Sequence, residues 1–161
     1  MDSLNKNKYS AFIPCVSFVI ICFLISGVSG WVTSSHIHSW YLYLEKPSFT
    51  PPIWLFGPVW TVIYFMIGVS GGLLWARRNK LILAFSFYLI QLGFNFSWSF
   101  VFFGMQQIGW AFLNIIFLLF CILATIVFAY PNNKAASWML VPYLFWVIFA
   151  SILNFSLWQL N

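Results

Sequence analysis

Charge is what this sequence has least of. Seven basic and two acidic residues make up 6% of the 161, against 63% hydrophobic. A soluble domain carries roughly 25% charged residues, so this chain has too few to cover a water-facing surface. Asp2 and Glu45 are the only carboxylates, and neither lies in an apolar run. That argues against paired-carboxylate catalysis, ion pumping and an intramembrane proton relay. Cysteine is almost as scarce. Cys15, Cys22 and Cys121 all lie inside apolar runs, with no Cys-x-x-Cys, so no disulfide, redox or zinc site is expected. No Ser/His/Asp or Cys/His set can be assembled within the spans. His36 and His38 are two loop histidines without a third ligand, so no metal site is expected. Soluble domains, linkers and low-complexity tracts are missing too.

What is present is apolar sequence in long blocks. No charge falls between Tyr9 and Leu44, between Pro47 and Ala76, between Leu81 and Asn133, or after Lys134. A bilayer crossing takes about 20 apolar residues, so these blocks hold one, one, two and one spans. The expected fold is an all-α integral membrane protein, a five-transmembrane-helix bundle forming a single domain over residues 1–161. The spans are placed at about 11–31, 51–75, 81–103, 108–130 and 137–158. The first is too long for the apolar core of a signal peptide, and more membrane sequence follows it. Residues 32–50 form the longest polar connection. Their aromatic centre, Trp40 to Leu44, is expected to fold back on the bundle with a short helix. Residues 104–109 and 131–134 are read as tight turns.

Basic residues set the orientation. Lys6, Lys8, Arg77, Arg78, Lys80 and Lys134 fall on one side of a five-span chain, and only Lys46 on the other. The N-terminus is therefore expected to be cytoplasmic and the long first loop outside. The net charge of +5 sits in loops and not on one face, so it is no nucleic-acid footprint. With no targeting extension visible, a bacterial cytoplasmic membrane is the expected location. Gly68 and Gly72 form a G-x-x-x-G, which suits either packing within the chain or a dimer contact.

Residues 46–60, KPSFTPPIWLFGPVW, are the most constrained stretch. Pro47, Pro51, Pro52 and Pro58 fix backbone dihedrals there. Pro51 and Pro52 suit a first helical turn, and Pro58 should loosen the helix further in. Ten tryptophans is a high count. An interfacial belt accounts for Trp31, Trp75, Trp138 and Trp158 near span ends. It serves less well for Trp60, Trp98 and Trp146, which fall within spans. Helical spacing puts Tyr88, Gln91, Asn95, Trp98 and Phe102 on one stripe of the third span. Trp60 and Tyr64, Trp110 and Asn114, and Trp146, Ala150 and Asn154 form similar sets, with Ala150 small enough to leave room. At a rise of about 1.5 Å per residue, several of these share a layer beneath the first loop. From spacing alone two readings stand. The amides are interhelical hydrogen-bond glue, or they are the few polar groups of an aromatic-walled small-molecule pocket.

The chain resembles the TspO/MBR family, the translocator proteins or tryptophan-rich sensory proteins. The resemblance covers nearly all of it. Its carriers are Trp40-Tyr41 with Leu44 and Lys46-Pro47-Ser48, then Pro51-Pro52 with Trp54, and Gly57-Pro58-Val59-Trp60-Thr61 with Tyr64. Further on come Gln91-Leu92 and Asn95 with Trp98, Phe102-Phe103-Gly104, Gly109-Trp110-Ala111, Pro142-Tyr143-Leu144 with Trp146, and Leu153-Asn154. The resemblance implies a five-helix bundle, often a homodimer. Its pocket would take porphyrins such as protoporphyrin IX or haem, and isoquinoline- or benzodiazepine-type drugs, with no cofactor required. The implied role is sensing, transport or scavenging, or alternatively light-dependent porphyrin degradation with Trp60 and Trp146 as the reacting residues; a structural membrane partner without a ligand is the third reading. Tyr41, Trp60, Tyr64, Asn95, Trp98, Phe102, Asn114, Trp146 and Ala150 are the implied ligand-binding residues.

Some positions depart from the family pattern. Phe49 stands where many members have Trp, marking a place where ligand preference would differ. Asn114 replaces a common Asp. Leu153-Asn154-Phe155 lacks the Tyr and basic residue of the family's cholesterol pattern, which argues against sterol binding of that type. The small-residue dimer motif of the third helix appears as Ser86 and Ile90, which leaves the dimer open or moves it to Gly68/Gly72.

Overall fold

A computed structural model describes the backbone of residues 2–161 and the side chains of residues 11–161. Among the described residues all regular structure is helical: α1 (Asp2–Ile37), α2 (Trp40–Tyr43), α3 (Ile53–Trp75), α4 (Ile82–Ser99), α5 (Ile108–Ala129) and α6 (Lys134–Leu160). A π-helical turn, Phe100–Gly104, continues α4. The five long helices pack in a ring, α1 on α3, α3 on α6, α6 on α5 and α5 on α4, with α4 and its π turn returning to α1. Four of them, over Ala11–Ile37, Ile53–Trp75, Ile108–Ala129 and Lys134–Leu160, are long and apolar enough to cross a membrane. α4 is not among those four. Gln91, Asn95 and three serines dilute its apolar run. The outer surface carries fully presented rings such as Trp31, Trp54, Trp110 and Phe145, each about two-thirds exposed or more, a surface suited to lipid.

Helix ends differ from the expected spans for local reasons. α1 runs on past residue 31 to Ile37 because its polar residues satisfy themselves along the helix. Thr33 donates to the Ser29 carbonyl at 2.9 Å, and Ser34 and Ser35 to that of Trp31 at 2.9 Å. Val32 and Ile37 then bury one face of this polar turn. At the other end the helix begins at Asp2, well ahead of the expected start of the span near residue 11. α3 starts one residue after the prolines. Pro52 is its N-cap with an extended ψ of 142°, and Pro58 sits within the helix. α6 begins at Lys134, earlier than expected, because Asn133 caps it. The Asn133 side chain accepts from Ala136 N at 3.3 Å and donates to the Leu73 carbonyl at 3.1 Å, tying the end of α3 to the start of α6.

Residues 104–109 do turn the chain sharply into α5, but not on their glycines. The π turn closes with Met105 N donating to the Phe100 carbonyl at 2.7 Å, and Gln106 takes the left-handed φ of 56°. Gly109 instead lies in α5 under Trp158, where a Cβ would come within 2.9 Å of the indole nitrogen.

The Gly68/Gly72 motif packs within the chain. A Cβ at Gly68 would lie 2.5 Å from the Val19 Cα, and one at Gly72 would strike the Cys15 backbone. The two glycines thus let α1 and α3 meet backbone to backbone, and α1 covers the surface a dimer would have used. Cys15 Sγ reaches the Val69 carbonyl at 3.6 Å across this seam. Polar side chains cross-link the other helices. Ser70 donates to the Ala136 carbonyl at 2.9 Å and Ser137 to that of Ile126 at 3.1 Å.

Candidate functional site

The seam between α1 and α3 opens toward the α2 end of the bundle. A Cβ at Gly30 or Gly57 would meet nothing within 4 Å. The space between holds a cavity of about 470 Å³, within the range of small-molecule sites. Exposed Gly30, Ser34, Gly57 and Thr61 border it between the two helices. Tyr41 of α2 lines it from above and is buried, packed on Phe102 and Phe103 with ring centroids 6.3 and 5.7 Å apart. Lys46 Nζ lies 4.9 Å from the Tyr41 ring centroid and donates to the Leu42 and Leu44 carbonyls at 3.0 and 2.9 Å. Burial raises the Tyr41 phenol above its ordinary value, so the ring stays neutral.

Rings make up the walls on α3, α4 and α6. Trp60 and Trp146 meet edge to face at 6.5 Å and 89°, the geometry aromatic pairs favour. Tyr64 lies 5.5 Å from Trp60. Trp98 stacks on Phe102 at 4.9 Å and 18°. The π turn matters here. A wider turn changes the angular spacing of the side chains, and the adjacent Phe102 and Phe103 are both buried and both line the cavity.

Two short hydrogen-bond chains run through the wall. Tyr64 donates to Asn95 Oδ1 at 2.5 Å, and Asn95 Nδ2 donates to the Tyr143 hydroxyl at 2.8 Å. Trp98 Nε1 donates to Asn154 Oδ1 at 3.1 Å, and Asn154 Nδ2 donates to the Ile108 carbonyl at 3.0 Å. Glue and pocket wall therefore coincide in Asn95 and Asn154, which hold helices together and line the cavity. Replacing Asn95 by Leu strands two buried tyrosine hydroxyls. It should cost about 2 kcal/mol, read as a lower midpoint in a dodecyl sulfate unfolding titration.

Eight of the nine expected ligand-binding residues line this one cavity: Tyr41, Trp60, Tyr64, Asn95, Trp98, Phe102, Trp146 and Ala150. Asn114 does not. Its amide donates to Ser97 Oγ at 2.7 Å and links α5 to α4 instead. Nor does Phe49, which is half exposed and lies 6.4 Å from the Phe149 ring. Sequence reasoning missed the α1 wall. Ser26, Ser29, Gly30, Thr33, Ser34 and Ile37 line the cavity at helical spacing, and that spacing of small hydroxyl residues was readable in the first span. His38 also lines the cavity, whereas His36 Nδ1 lies 2.9 Å from the Val32 carbonyl, an acceptor for the N–H tautomer.

The described helices, four of them apolar enough to cross a membrane, enclose a ring-walled cavity beneath one end, the form that small-molecule sites in proteins usually take. The TspO/MBR family model matches residues 18–159. The "Tryptophan-rich protein TspO" of Archaeoglobus fulgidus is 43% identical over 145 residues, 88% of this chain and 94% of that protein. The human "Translocator protein" is 32% identical over 158 residues, 93% of this chain and 91% of the relative. The "Tryptophan-rich sensory protein" of Cereibacter sphaeroides is 34% identical over 122 residues, 76% of this chain and 77% of its own length. The chain belongs to the TspO/MBR family.

Proposed function

We propose that this protein binds a tetrapyrrole, such as protoporphyrin IX or haem, within the membrane and acts in its sensing, transport or scavenging. The observation that carries this reading is the cavity of about 470 Å³ with Trp60 and Trp146 together in its wall. A large flat ligand gains most there, from stacking and from removal of apolar surface from water. Tyr41, Tyr64, Asn95, Trp98, Phe102 and Ala150 would line or orient it. Isoquinoline- and benzodiazepine-type molecules are flat and apolar enough to compete for the same space. The family pattern for cholesterol is missing from this sequence, and sterol is not part of the proposal.

In this reading all five long helices cross the bilayer, α4 included, since the ring buries its amides against other helices. Arg77 donates to the Asn132 carbonyl, so the basic α3–α4 turn and the α5–α6 turn sit at one end. That end would be cytoplasmic, with the cavity in the outer half of a bacterial cytoplasmic membrane. A homodimer would use a surface other than Gly68 and Gly72.

A porphyrin titration followed by tryptophan fluorescence tests the proposal. Saturable quenching at micromolar ligand is expected, and its absence favours a ligand-free structural partner. The two adjacent indoles also favour a second reading, in which light-excited porphyrin takes an electron from Trp60 or Trp146 and passes it to dissolved dioxygen, the external oxidant, whose reduced form then oxidises the macrocycle beside the indole radical cation. Under illumination the porphyrin absorption band should then fade in the parent and persist in both Trp60→Phe and Trp146→Phe. Equal fading in all three proteins would remove those residues from the chemistry.

A further inference from the structure

One hydroxyl in the cavity wall is out of keeping with its neighbours. Ser29 on α1 lines the cavity, is only 5% exposed, and its Oγ has no hydrogen-bond partner. Ser17, Thr33, Ser34 and Ser35 of the same helix each donate to a backbone carbonyl three or four residues back. Such back-bonding is the usual resort of a helical serine in an apolar setting, yet Ser29 does not make it. The Tyr64 hydroxyl gives its own proton to Asn95 and lies close to Ser29, yet Ser29 Oγ does not reach hydrogen-bond geometry with it. A buried donor left without an acceptor is costly, and a ligand atom in the cavity would relieve it. Trp146 Nε1, also in the cavity wall and also buried, is unpartnered in the same way.

Both orphans are donors, and they sit on different helices. Thr33 and Ser34 have given their protons to the backbone and offer the cavity only oxygens. Resting on the tetrapyrrole reading above, we infer that Ser29 is a ligand-selecting residue. Its hydroxyl donates to an acceptor oxygen, carboxylate or carbonyl, on the rim of the flat ligand, with Trp146 Nε1 as a second donor. The site thereby prefers rings that carry acceptor groups at the edge over rings with a purely alkyl rim. The acceptor-bearing edge faces α1, and the ring face is left to Trp60 and Trp98.

The test uses the full chain in lipid vesicles and two porphyrins with the same ring. Protoporphyrin IX carries two carboxylates, and etioporphyrin carries only alkyl groups. Ser29→Ala should weaken protoporphyrin IX binding about tenfold and leave etioporphyrin within about twofold. Ser29→Thr, which restores a hydroxyl, should return protoporphyrin IX to within about threefold of the parent. An unchanged protoporphyrin IX affinity in Ser29→Ala overturns the assignment. So does equal weakening of both porphyrins, which would mark a packing effect. If neither porphyrin binds the parent protein, the tetrapyrrole reading fails and takes this assignment with it. Failure at Ser29 alone leaves that reading standing.

Discussion

Gly72→Leu should leave little folded protein. The Cβ alone would strike the backbone and sulfur of Cys15, so α1 must retreat from α3 along the whole seam. Overpacking a rigid core costs about 1–3 kcal/mol even where side chains can shift. Here the obstacle is backbone, and a loss above about 3 kcal/mol is expected, seen as a collapse of the dodecyl sulfate unfolding midpoint. Gly27→Leu is the matched control. It lies on the same pair of helices, but its Cβ meets nothing within 4 Å. Its midpoint should equal or slightly exceed the parent's, because leucine is the better helix former. If both variants unfold alike, the seam is not what holds α1 to the bundle.

Ala150→Trp should abolish porphyrin binding without unfolding the protein. Ala150 lines the cavity one turn from Trp146, and the new ring would enter space that no protein atom occupies. We expect affinity to fall at least about 100-fold, or about 3 kcal/mol, with an unfolding midpoint close to the parent's. The pairing separates ligand exclusion from damage to the fold. Unaltered porphyrin affinity would move the site out of this cavity altogether.

Much of this was legible in the sequence, and the exceptions have physical causes. The α3 and α5 boundaries fell within a residue or two of expectation, because prolines and charges punctuate the chain there. α1 extends beyond the expected span at both ends, since polar residues do not by themselves end a helix. Hydroxyl groups can satisfy themselves on the preceding turn, and Thr33, Ser34 and Ser35 do. The π turn left no readable mark, because nothing in Phe100–Gly104 distinguishes a five-residue closure from a four-residue one. Gln106 in a left-handed conformation was equally hidden, with Gly104 and Gly109 on either side as the obvious candidates.

The site shows the same division. Aromatic and amide residues at spacings of three and four found most of one wall. Asn114 obeyed the same spacing but meets Ser97, because a periodic stripe identifies a face without saying which neighbour it meets. The α1 wall carries no large ring, only small and hydroxyl residues with Ile37. Small hydroxyl residues at equal spacing carry as much information about where space has been left.

The last described residue has a bearing on experimental practice. Glu45 N donates to Asn161 Oδ1 at 2.9 Å, and Asn161 Nδ2 donates back to the Glu45 carbonyl at 3.0 Å. This two-point clasp anchors the connection after α2 to the end of α6, and Tyr41 sits just beyond it over the cavity. A purification handle or fluorescent fusion joined directly at Asn161 would tug on that anchor. Affinities from such fusions would report the handle together with the protein, and a handle at the opposite end of the bundle would leave the anchor untouched.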